Sequence, residues 1–374
     1  MSTTPSPHTP KPRRRWLQFS LRTMLVLVLA TCVALSWLGL KVRQAGEQRK
    51  AVEAIHRLGG TVSYDYLHDW IAAVPPPIFT PTDQPTRPRF VWLREQLRDD
   101  LFANVKEVHL RGPEVTNTAI VQVLKLKRLK SLRLEATHVT DAGLELLCGL
   151  EGLETLSLAN SQITNLGVKR LSPLTRLTSL DLSSTLVTDA GLEHFERHPY
   201  LKRLYLERTQ VTDAGLTHLR GLAQLQRLLL NETAVTDAGL KHLGGLTQLQ
   251  ALELIGTRVT DAGLVHLRGL TQLQRLWLGD TAVGDAGLDH LCELDRLEEL
   301  DLSSTKVSDA GLRYLRGLTH LQHLWLNDAA VTDEGILLLR SLKQLLDLQV
   351  FHTQVTDAGV AELQKALPNC QIMR

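Results

Sequence analysis

Five histidines, His194, His218, His242, His266 and His290, recur at a step of 24 residues. Imidazoles held in register are what a row of metal sites would use. Aspartates such as Asp213 and Asp261 keep the same period and suggest calcium or carboxylate chemistry. Spacing argues against both. Each histidine falls two residues after an inward helical position, about 200° around a helix, so it points mostly outward. Neighbouring helices lie about 8–10 Å apart, too far to share one ion. These histidines read as solvated or inter-helix packing residues, and an aspartate at each helix start reads as complementing the helix dipole. Asn231-Glu232-Thr233 spells a glycosylation triplet, but Thr233 sits in a repeated core position. No Gly-rich phosphate loop, Ser/His/Asp set or carboxylate cluster occurs. Neither catalysis, a metal, a cofactor nor a small-molecule substrate is expected.

The element that sets this period is Val235-Thr236-Asp237-Ala238-Gly239-Leu240. Copies begin at Val115, Val139, Ile163, Val187, Val211, Val235, Val259, Val283, Val307, Val331 and Val355, every 24 residues without insertion. Such a period marks a solenoid. Between Leu222 and Leu246, Leu228 and Leu230 alternate as a short strand with both side chains inward. The Thr233 hydroxyl can satisfy backbone groups where the chain leaves the strand. Thr236 is a good N-cap, Leu240 and Leu243 share a buried helix face, and Gly245 stops the helix. One such unit is too small to fold alone, and stacking neighbours closes the core. Strands are expected from Val108–Leu110 and Leu132–Leu134 through Leu348–Val350, with a twelfth at Cys370–Ile372. Together they predict an α/β solenoid with one parallel sheet, of about 50 Å arc, and helices on its other side.

The unit L-x-x-L-x-L-x-x-T-x-V-T-D-A-G-L, over residues 105–374, resembles the cysteine-containing, ribonuclease-inhibitor-like class of leucine-rich repeats. The resemblance implies a horseshoe with a concave parallel sheet, convex helices and a protein partner of unknown identity. The Arg-rich leader, Ser20-Leu21-Arg22-Thr23 and the stretch from Ala51-Val52 to Leu58-Gly59-Gly60 are similar to membrane-anchored bacterial leucine-rich-repeat proteins. No residue-specific role carries over. Two alternatives stay open: a self-associating structural or adhesion component of the cell envelope, and an F-box-like substrate-receptor adaptor. The adaptor would need an F-box-like helical segment before the repeats, and none is seen.

The chain divides into four. Residues 1–19 form a basic leader expected to be disordered. Residues 20–43 contain 18 uncharged residues, Thr23 to Leu40, expected to cross a membrane once. A cleaved signal peptide would need a better site than Leu38-Gly39-Leu40-Lys41-Val42, and a lipoprotein reading of Cys32 suffers from Thr31 before it. Residues 44–89 hold a short amphipathic helix (51–58), a strand (61–66) and a Pro-rich spacer. Residues 90–374 are the repeat domain of about eleven repeats, capped by a helix over 90–102. The first 22 residues carry five bases and no acid, leaving 37 bases against 40 acids. The repeats therefore have no nucleic-acid signature. The leader's charge favours an extracytoplasmic repeat domain. Cys148 and Cys292 are six repeats apart, roughly 29 Å, so no structural disulfide is expected.

Residues between the inward leucines point to the concave face. Their column runs His109, Arg133, Ser157, Asp181, Tyr205, Leu229, Glu253, Trp277, Asp301, Trp325, Gln349 and Gln371. Arg203, Arg227 and Arg275 line one flank and Phe351 the other. Aromatic residues beside arginine are the usual anchors of protein interfaces. The candidate partner-binding set is Arg203, Tyr205, Arg227, Leu229, Glu253, Arg275, Trp277, Asp301, Trp325 and Phe351. The competing role for the aromatics is to cover neighbouring strand side chains within the free protein.

Overall fold

The computed structural model describes residues 21–65 and 103–374. The expected cap over 90–102 and the Pro-rich spacer lie outside them. One helix, α1 (Leu21–Arg57), covers both the apolar run and the segment expected as a separate helix. Strand β1 (Thr61–Tyr64) follows, then β2 (Val105–Arg111), α2 (Asn117–Val123) and β3 (Ser131–Glu135). From there the α/β unit recurs to the last helix, Asp357–Ala366, and the last strand, Gln371–Met373. Among the described residues the sheet has 13 strands, in sequence order. All neighbours are parallel except β1, which pairs antiparallel with β2.

Two expectations change. The strand after Gly60 joins the sheet and extends it by one. Its neighbour α1 buries Ala51, Val52 and Ile55 in the same hydrophobic cluster as the repeat leucines, although the sequence set residues 44–89 apart from the repeats. At the other end Leu348 pairs with Ile372 and Gln349 with Met373. Met373, not Gln371, therefore continues the middle column, because the 24-residue step holds through the final turn.

Leu228, Leu230, Val235, Leu240 and Leu243 are all fully buried, as are their counterparts along the stack until the last repeat, where Val360 and Ile372 are partly buried. Each repeat divides few residues between strand, turn and helix, so many helices are one α-turn, such as Asp237–Leu240, often continued as a 3-10 turn. The Thr233 hydroxyl donates to the Leu230 carbonyl at 2.6 Å, and Thr209, Thr257, Thr281 and Thr305 do the same. The residue just before this threonine lies in the left-handed region, at φ 53–67° from Ala136 to His352. Gly256 occupies that place without a Cβ, Asn160, Asp280 and Asp328 are types that tolerate it, and Ala136 has no such relief.

The aspartate of the hexapeptide has a larger role than dipole matching. Asp237 accepts the Thr260 backbone N–H at 2.7 Å and the Thr260 hydroxyl at 2.6 Å, so one carboxylate clamps the next repeat's helix cap. Asp189, Asp213, Asp309 and Asp333 make the same pair of bonds. Asn165 does so through its amide. The clamp also explains the glycine. A Cβ on Gly239 would stand 2.4 Å from Asp213 Oδ1, so a side chain there would expel the preceding carboxylate.

Candidate protein-interaction face

Parallel pairing without slips puts the candidate residues on consecutive strands. Tyr205 neighbours Leu229, then come Glu253, Trp277, Asp301, Trp325 and Gln349. Arg203 neighbours Arg227, and Ala251 separates Arg227 from Arg275. Because side chains alternate along a strand, this set lies on the face opposite the buried leucines. Arg203 and Phe351 are exposed and the other eight are half-buried.

The face has three zones. Arg203 and Arg227 form no ion pair among the described residues, whereas Arg275 is held by Glu299 at 3.0 Å. On the other flank Asn231 donates to Glu207 at 2.9 Å and to Glu253 at 2.7 Å, bridging two carboxylates. Burial pushes the Glu253 carboxyl up, Asn231 pulls it back, and the Glu207 charge raises it again. Trp277 and Trp325 meet edge to face across the intervening strand, with ring centroids 6.2 Å apart and planes at 82°. His323 stacks on Trp325 at 6.0 Å. The indoles thus partly cover each other while staying on the open side. Trp277 Nε1 is buried without a partner among the described residues. His323 escaped the sequence reading, and its place beside the middle column was the available signal.

Elsewhere two of the periodic histidines, His242 and His290, pack against the preceding repeat, whereas His266 is exposed. Arg220 pairs with His242, and Arg268 Nη2 lies 2.7 Å from His290 Nδ1. Burial and the Arg220 charge lower the His242 pKa. Among the described residues no group of three His, Cys, Asp or Glu side chains is placed to hold a metal ion. A further missed residue is His198. It stands 24 residues after Leu174 in a leucine column, fully buried, with Phe195 edge-on at 6.3 Å. Neither ring nitrogen has a hydrogen-bond partner among the described residues, and burial lowers its pKa.

The repeat, the sheet and the clamped turns define a leucine-rich-repeat protein folded as an α/β solenoid. The Leucine Rich repeat family model matches residues 297–315 and 317–339. Among solved structures, an internalin (inlF) from Listeria monocytogenes is similar at 20% identity and TM-score 0.53, covering 75% of this chain and 92% of its own. An internalin C2 (inlC2) from the same organism is 29% identical with TM-score 0.45, covering 58% of this chain and 84% of its own. No curated protein matches the chain.

Proposed function

We propose that this protein is a membrane-anchored scaffold that binds another protein on its concave sheet, with no catalytic role. The observation that carries the reading is the contrast on each strand. The two inward columns are uniformly apolar, while the column between them holds Tyr205, Glu253, Trp277, Asp301 and Trp325. Unpaired Arg203 and Arg227, three and two strands before that of Trp277, together with the half-buried tryptophan pair, suit a partner carrying an acidic and an apolar group. The anchor is α1, whose mean hydropathy reaches 2.2 and whose apolar run has no residue buried within the protein. Leu25, Leu29, Val33 and Trp37 are all exposed, which water disfavours and a bilayer does not. The ribonuclease-inhibitor-like class and an extracytoplasmic repeat domain complete the reading.

The test is capture from detergent-solubilised membranes with the full chain as bait. Trp277→Ala with Trp325→Ala should abolish recovery of a partner that wild type and the convex control Lys241→Ala both retain. Unchanged recovery by the double variant would remove the concave site.

A further inference from the structure

In the first repeat the loop Leu124-Lys125-Leu126-Lys127-Arg128-Leu129-Lys130 carries four bases and no acid. The equivalent loop one repeat later, 148–154, carries two acids and no base, and the one at 292–298 carries three acids and one base. No other copy of this loop holds more than two Lys or Arg residues. The excess is therefore local to one end of the solenoid. Solenoid stacking does not require it, because the buried positions of the loop are Leu126 and Leu129.

That end is where α1 leaves its apolar run. Lys41 is the first charged residue after Leu40. A cavity of about 290 Å³ lies between α1 and the basic loop, lined by Lys41, Gln44, Gln48, Lys125, Lys127 and Arg128, with Glu47 its one acid. Glu47 lies 3.5 Å from Arg43, which offsets its charge. Lys127 and Arg128 are exposed and make no ion pair among the described residues. A second cavity, of about 350 Å³, continues along the same edge, lined by Lys127, Glu151 and Arg176 with Gly149 and Gly152. The helix is not free to swing away from this loop. Ala51, Val52 and Ile55 are buried in the core, and Gln48 Nε2 donates to the Ala103 carbonyl at 2.9 Å. Residues 41–48 span about 10 Å of helix, so the cavity begins where the apolar run stops and ends about one Debye length above it.

We propose that this cavity holds the phosphate of an anionic phospholipid head group, clamping the first repeat to the membrane surface. The inference rests on the reading that α1 crosses a bilayer. Cations beside a membrane-spanning helix are attracted to anionic head groups. The polar Gln44 and Gln48 side chains can donate to phosphate oxygens that the cations do not reach.

The test uses the full chain in detergent, with lipid retention read by native mass spectrometry. The probes are phosphatidylglycerol and phosphatidylcholine of matched acyl chains. Wild type should retain phosphatidylglycerol at least about tenfold in preference. Lys127→Gln should lower that preference on the order of fivefold, and Lys125→Gln/Lys127→Gln/Arg128→Gln should bring it close to unity. Arg340→Gln/Lys343→Gln, at the far end of the same edge, should leave it unchanged. Equal retention of both lipids by wild type, or a preference that survives the triple variant, would overturn the proposal. So would complete displacement of the lipid by millimolar inorganic phosphate, which would make this a site for the free ion. Alkaline carbonate extraction of membranes separates the two levels. A chain that stays in the pellet without lipid preference loses only the head-group site, whereas a chain released to the supernatant loses the membrane reading as well.

Discussion

Two columns run side by side along the sheet. One is Leu204, Leu228, Leu252, Leu276, Leu300, Leu324 and Leu348, every member fully buried. The other, one residue further along each strand, is Tyr205, Leu229, Glu253, Trp277, Asp301, Trp325 and Gln349, every member half-buried. The backbone geometry at the two is the same, so the difference lies in what the side chains face. A position that touches the next repeat must accept the same shape each time, because the stack closes its core through neighbours alone. A position that touches only its flanking strands and solvent is released from that constraint. The clamp aspartates belong with the first kind and the tryptophan pair with the second.

Putting a charge into the uniform column should break the contrast most severely. Leu228→Asp buries an unpaired carboxylate and should lose about 4 kcal/mol or more of unfolding free energy, whereas Gln226→Asp should change it by less than about 0.5 kcal/mol. Urea titration followed by circular dichroism compares them, and similar losses would contradict the register. Next comes the clamp. Asp237→Ala removes two hydrogen bonds to a carboxylate and should cost about 1.5–3 kcal/mol. Asp237→Asn should lose much less, because Asn165 already bridges to Thr188 at 2.8 Å with both amide atoms.

His198 is the one ionisable residue in an otherwise leucine column, and it makes the stack acid-sensitive. Its pKa in the folded chain is below its ordinary value of 6.5. The unfolded chain therefore binds the proton first, and stability falls as pH drops from about 6.5 toward the folded value. His198→Leu should flatten that part of the pH–stability curve, measured by melting temperature between pH 7 and 5. The smallest effect belongs to the left-handed turn. Ala136 sits at φ 53°, so Ala136→Gly should raise stability by about 0.5–1 kcal/mol, detectable as a higher urea midpoint.

Much of this architecture was legible because inward leucines recur at a fixed step and need no knowledge of the neighbour. Val235, Leu228 and Thr233 each declare their role within one repeat. The clamp was less legible. Asp237 looks like a helix-start residue until Thr260 is placed beside it, and only stacking does that. Thr61–Tyr64 read as a strand, but its pairing with β2 spans an intervening segment and has no periodic signal. The candidate face was readable as an alternation, which gave Tyr205, Trp277 and Trp325 their side of the sheet. The edge-to-face meeting of the indoles and the Glu207–Asn231–Glu253 bridge depend on rotamers and strand curvature, which sequence spacing does not set.

The division of labour between the two columns is tested most directly by amide hydrogen exchange on the full chain, with and without its captured partner. Binding should slow exchange in the strand segments around Arg203–Tyr205, Arg227–Leu229, Arg275–Trp277 and His323–Trp325, and leave the helical side at Asp213–Leu216 and Asp261–Leu264 unchanged. Protection confined to the helical side, with those strands exchanging as in the free protein, would contradict the account.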